Sequence, residues 1–248
     1  MKNFKLSPSF FSISLFFIFW EILGRYISKA FILPWPTAIL KKIWVLKTPL
    51  FLTHLPSTLK IALVSIVISM ILGIILAILM DFNKTVQAAV YPLLVTTQTI
   101  PITALAPVFI LWFGYSIWSK VLVSVIISFF PITITIYNSF KEVQKDDINF
   151  LKSLGASNLD IFLKLKIPAS SHSFFSALKM SVPLSLIGAS IGEWLGATSG
   201  LGYFSKRMMS QLDGAGVFAP IVIISLLAIF IVQIISLIES KILHWRNK

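Results

Sequence analysis

The sequence predicts an all-α membrane protein with about six transmembrane helices, and three observations carry that reading. First, 57% of the 248 residues are hydrophobic and only 12% are charged, about half the roughly 25% charged residues of an average soluble domain. Second, the charges leave long uncharged runs at 6–20, 61–80, 85–119, 121–140 and 214–238, with a shorter one at 180–192. A bilayer core of about 30 Å takes roughly 20 apolar residues per helix, and several of these runs reach that length. Third, the runs do not alternate polar and apolar residues as barrel strands do, and an open strand would leave backbone groups unpaired in lipid.

The helices are expected at about 9–27, 58–80, 88–113, 117–140, 174–196 and 217–240. The first follows Lys2 and Lys5 and so imitates a signal peptide. Glu21 to Arg25 stand where a small-residue cleavage site would be, and the segment reads as an uncleaved span. Glu21 and Arg25 are one turn apart, the spacing of a helical ion pair. Leu33-Pro34-Trp35-Pro36 then makes a rigid turn, and 37–44 forms a short interfacial helix carrying Lys41 and Lys42. The third span holds Pro92, Pro101 and Pro107. Each proline removes a donor and crowds the preceding turn, so a kink or local unwinding is expected there. Pro131, Pro183 and Pro220 place smaller irregularities in later spans. Residues 1–248 read as one transmembrane domain, with the hydrophilic stretch 141–173 as a loop within it.

The net charge of +12 comes from 21 basic and 9 acidic residues. The basic residues are spread through tails and loops without forming a stripe, which fits lipid head groups and not nucleic acid. With both termini cytoplasmic, 11 Lys and Arg fall inside and 9 outside, with Lys179 inside a span. That tally leans toward this orientation without deciding it. The absence of cysteine excludes disulfides, thiolate metal sites and thiol nucleophiles. His54, His172 and His244 are scattered near span ends and read as solvated interfacial side chains, not as a metal site. Glycine is never followed by lysine, so a Walker-type phosphate loop is excluded. Neither paired carboxylates nor a nucleophile with a base nearby marks an enzyme.

Residues 149–168 read as helix, break, helix. Gly155 can take the left-handed position that ends the first helix. Ser157 caps the second, with Asp160 three residues on in the capping-box position. Lys164 and Lys166 would complement its C-terminal dipole, and Pro168 would close it. Leu159, Phe162 and Leu163 fall at i, i+3 and i+4 and make one apolar stripe. Either the stripe rests on the ends of the spans or a soluble partner receives it. Inside the spans, Gln98 and Thr99, with Thr96 and Thr97, form a band of hydrogen-bonding groups that suits either a weakly binding pathway or helix–helix contacts. Glu193, beside Trp194 near the end of the fifth span, either reaches interfacial water or serves the pathway.

The loop resembles the cytoplasmic coupling loop of ABC-importer permeases, whose pattern runs Glu-Ala-Ala, three residues, Gly, nine residues, Ile-x-Leu-Pro. Gly155, Ala156, Ser157 and Pro168 match it, while Asn149, Phe150 and Leu151 stand in place of Glu-Ala-Ala. Leu33-Pro34-Trp35-Pro36 is similar to a Leu-Pro-x-Pro of the taurine, alkanesulfonate and nitrate permease branch. So are Ile100-Pro101, Ala106-Pro107 and Trp112-Phe113-Gly114 to that branch's third helix, and 192–203 to its last external segment. The run 192–216 looks most like permeases assigned to hydroxymethylpyrimidine, a thiamine precursor. The resemblance implies a multi-pass subunit of the bacterial cell membrane, working as a homodimer. It further implies a cytoplasmic ATPase that holds the ATP and docks on Gly155, Ala156, Ser157, Leu159, Asp160, Phe162, Leu163 and Pro168, and a binding protein outside. A sulfonate, taurine or nitrate importer is the alternative within the branch. An ion-coupled carrier is the alternative of another class, and it would need an ionisable group nearer mid-span than Glu193.

Overall fold

The computed structural model describes residues 8–244, all helices and connecting turns; Lys2, Lys5, Arg246 and Lys248 of the charge tally lie outside them. The helices are α1 (Pro8–Ile27), α2 (Pro36–Val45), α3 (Leu55–Phe82), α4 (Lys84–Thr97), α5 (Ile102–Phe113) and α6 (Ile117–Lys141). There follow α7 (Lys145–Ser153), α8 (Asn158–Ile161), α9 (Ile167–Gly196), α10 (Leu201–Ser210) and α11 (Gly214–Ile242). Among the described residues four continuous runs are long and apolar enough to cross a bilayer: Pro49–Phe82, Ile117–Lys141, Asn158–Gly196 and Gly214–Ile242. The pair α4 and α5 is apolar and long enough only when taken together, across a sharp bend. At 20 residues α1 is about 30 Å long, enough for one crossing.

Two expectations about span ends are corrected. The second span does not start at residue 58 but continues back through a π-helical turn, Pro49–His54. The fifth span does not start at 174, and Pro168 does not close the preceding helix. A second π-helical turn, Phe162–Lys166, joins α8 directly to α9, so that 39 residues form one run. In both places a proline, Pro56 or Pro168, sits in the first turn beyond the π segment. The wider turn shifts the hydrogen-bond register just before the ring, where a regular α-helix would have lost a donor. The third span is broken outright at 98–101, and its halves meet at 101°. Pro101 caps α5 in an extended conformation, as the proline spacing led one to expect.

The core forms where α6 packs on α9 and on α3. Helices in lipid gain little from hydrophobic burial against one another, so close approach through small residues and hydroxyl bonds replaces it. Gly188 lies against the Ser124 backbone, and a Cβ at Gly192 would stand 2.9 Å from the Lys120 Cα. The Ser124 hydroxyl donates to the Ser185 carbonyl at 2.9 Å, and the Ser69 and Ser128 hydroxyls meet at 2.7 Å. Lys179, the charge inside a span, is answered by Glu239 on α11 at 2.8 Å.

Candidate functional site: the coupling loop and the outer latch

At one end of the long run, α7 stops as the sequence predicts. Gly155 has φ +82°. Its N–H donates to the Lys152 carbonyl and that of Ala156 to the Leu151 carbonyl, which closes a Schellman turn. Ser157 then starts α8: its hydroxyl accepts from the Asp160 N–H at 3.1 Å, while its own N–H donates to the Asp160 carboxylate at 3.2 Å. The carboxylate also takes Lys164 at 2.7 Å, so Asp160 is engaged within its own turn.

The predicted apolar stripe divides. Leu159 and Leu163 are 58% and 52% exposed, and Phe150 and Leu154 on the α7 side are exposed as well. Phe162 is only 5% exposed. Its ring lies 4.9 Å from that of Phe82 and 5.3 Å from that of Phe140, centroid to centroid. The grouping of Phe162 with an outward face is therefore corrected: the π-helical turn widens the helix at this residue and rotates the ring toward α3 and α6. Lys166 is corrected too. It serves no helix end, because the helix continues, and pairs instead with the largely buried Asp81 at 2.7 Å. Phe162 and Lys166 thus fasten the loop to the foot of α3, and Leu159 and Leu163 remain outside. Ala156 is partly covered and Pro168 exposed.

The third-span band lies on the break between α4 and α5. The hydroxyls of Thr96, Thr97 and Thr99 donate to the carbonyls of Pro92, Leu94 and Thr96, within their own chain segment. Among the described residues these hydroxyls bond no other helix. The exposed Gln98 side chain has no hydrogen-bond partner among the described residues.

At the other end of the run, Glu193 does not reach interfacial water: it is 1% exposed. One carboxylate oxygen accepts from the Thr58 hydroxyl and the other from the Gly202 N–H, both at 2.8 Å. Thr58 in turn accepts from the Leu201 N–H at 2.8 Å, and His54 Nδ1 from the Gly200 N–H at 3.1 Å. The N–H groups that open α10 are thus received by three side chains, from α9, from α3 and from the π-helical turn before it. An acidic group there also suits the positive end of the helix. Gly200 has φ +120°, and a Cβ on it would strike the Glu193 carboxylate. Sequence reading missed Thr58 and placed His54 in water, although it is 7% exposed. Nothing local marks either residue, since their partners lie more than 130 positions away.

One long helical run thus carries a fastened loop at one end and the Glu193 latch at the other. Residues 69–244 match the family described as binding-protein-dependent transport system inner membrane component. The chain belongs to that family. Among its relatives is the formylaminopyrimidine transport permease protein ThiX of Halalkalibacterium halodurans, 49% identical over 98% of this chain and 97% of that protein. Another is the taurine transport system permease protein TauC of Escherichia coli, 22% identical over 93% of this chain and 86% of that one. The fold is similar to that of the MetNI methionine ABC transporter in an inward-facing form. The TM-score is 0.62 at 15% identity, over 82% of this chain and 97% of that one. The chain is therefore a multi-pass permease of the cell membrane, an ABC-importer component and not one of an enzyme family.

Proposed function

We propose that this permease carries a pyrimidine of the formylaminopyrimidine type, as a homodimer served by two copies of a separate ATPase and by a binding protein outside. The 49% identity to ThiX over nearly the whole chain carries the solute; the resemblance of 192–216 to thiamine-precursor permeases adds to it. ATP is bound and hydrolysed on the partner. The exposed Leu159 and Leu163, with Phe150 and Leu154 beside them, offer that partner an apolar face. Phe162 and Lys166 hold the face to α3, so a push on it moves the foot of the bundle and does not merely bend a loop. The unpartnered Gln98 and the hydroxyl-rich break between α4 and α5 face the pathway, completed by the second copy.

The test is uptake of labelled formylaminopyrimidine in a strain lacking the gene, with and without the gene restored. Restoration of uptake supports the reading. If formylaminopyrimidine uptake is unchanged and taurine uptake depends on the gene, the sulfonate branch represented by TauC is correct instead.

A further inference from the structure

We infer that a cleft of about 400 Å³ between α5, α9, α10 and α11 is a subsite of the pathway, built for a flat, uncharged heteroaromatic ring with hydrogen-bonding substituents. The inference rests on the solute reading above and gives it a place in the chain. The cleft is bounded by Thr103, Ser190, Trp194, Ser205, Ile221 and Ser225, with further apolar side chains between them. Its volume lies within the roughly 300–1,000 Å³ usual for small-molecule sites, and the mix of apolar wall and few polar groups is also theirs.

Its chemistry separates it from its neighbours. Not one of its lining residues is charged. Two other clefts at the latch end are cationic, one with Lys60 and Lys120 and one with Lys206 and Arg207. An anionic sulfonate would be held in those; a neutral ring is suited to the cleft without charge. Trp194 lines both the Lys206–Arg207 cleft and the neutral one, so it stands between a basic mouth and an apolar chamber. Trp194 is 43% exposed, and an indole on such a wall is suited to a planar ligand.

The hydroxyls supply the polar contacts. Thr103 and Ser225 are exposed residues, and their hydroxyls have no hydrogen-bond partner among the described residues. Pro107 lacks the N–H that would bond the Thr103 carbonyl four residues back, which leaves a second acceptor on the same residue. Unpartnered polar groups are costly against lipid, so a wall that carries them is better explained by a polar occupant than by acyl chains. The floor is rigid. A Cβ at Gly202 would collide with the Ser190 backbone, and Glu193 holds the Gly202 N–H.

The chain has no cysteine, so a single thiol reports on one position. The complete transporter in membrane vesicles is labelled with a charged, membrane-impermeant methanethiosulfonate. Ser225→Cys should react at least ten-fold faster than Phe230→Cys, a position 60% exposed on the same helix but away from the cleft. Formylaminopyrimidine should slow the Ser225→Cys reaction at least five-fold, and taurine should not. Trp194→Leu should lower pyrimidine uptake ten-fold or more at unchanged permease abundance and bound ATPase, while Trp194→Phe stays within three-fold of wild type. Slow labelling at both positions, or labelling indifferent to pyrimidine in vesicles that take it up, would overturn the subsite while leaving the solute reading intact. Vesicles that take up taurine alone, with taurine protecting the thiol, would overturn the solute reading and the ring-binding assignment together.

Discussion

Gly155 and Gly200 occupy positive φ for opposite reasons. No heavy atom lies within 4 Å of a Cβ built at Gly155, so its constraint is conformational alone. Valine there costs on the order of 1–3 kcal/mol in the left-handed region. Gly155→Val should therefore misdirect α8 and abolish transport while permease abundance in membranes stays near normal. Abundance below about half of wild type would show that the turn supports folding itself. At the latch, Glu193→Ala removes the acceptor of the Gly202 N–H and the Thr58 hydroxyl. Each buried group left unpaired costs roughly 1–3 kcal/mol. The thermal unfolding midpoint of the purified permease should fall clearly for Glu193→Ala and less for Glu193→Gln, which keeps one acceptor oxygen. Equal midpoints for Glu193→Ala and wild type would remove the latch.

Among the elements, the run from α8 through α9 separates two kinds of residue that the sequence placed on one stripe. Phe162→Ala opens a void among Phe82, Phe140 and the foot of α3, and such truncations cost about 3–5 kcal/mol. It should lower permease stability and abundance. Leu159→Ser combined with Leu163→Ser changes only exposed surface, so abundance should hold while co-purified ATPase falls several-fold. Quantifying permease and bound ATPase in the same detergent preparation distinguishes them; the opposite pattern would mean that Phe162 faces the partner. The helix break, the Schellman turn and the capping box were legible because each depends on residues within about five positions. The proline-broken third span was legible for the same reason. Local periodicity failed at Phe162 and Pro168, because a π-helical turn inserts extra width that a 3.6-residue count does not contain. It failed at Glu193 because one of the two donors that hold its carboxylate, Thr58, lies 135 positions away.

At the scale of the molecule, Asp160 and Glu193 lie 33 residues apart on one continuous helix, about 50 Å at 1.5 Å per residue. The loop and the latch are the two ends of one lever, tied to α3 at both: by Lys166 to Asp81 and by Glu193 to Thr58. Displacement of the outward leucines is therefore expected to reach α10 through this run, whose regular ladder is interrupted at the π-helical turn and at Pro183. The measurement that tests this account most directly is solute accumulation by proteoliposomes holding the permease, its ATPase and its binding protein. With ATP enclosed, labelled formylaminopyrimidine should accumulate, and the Leu159→Ser, Leu163→Ser variant should fail although its permease is present in equal amount. Accumulation driven by an ion gradient without ATP, or undiminished in that variant, would contradict it.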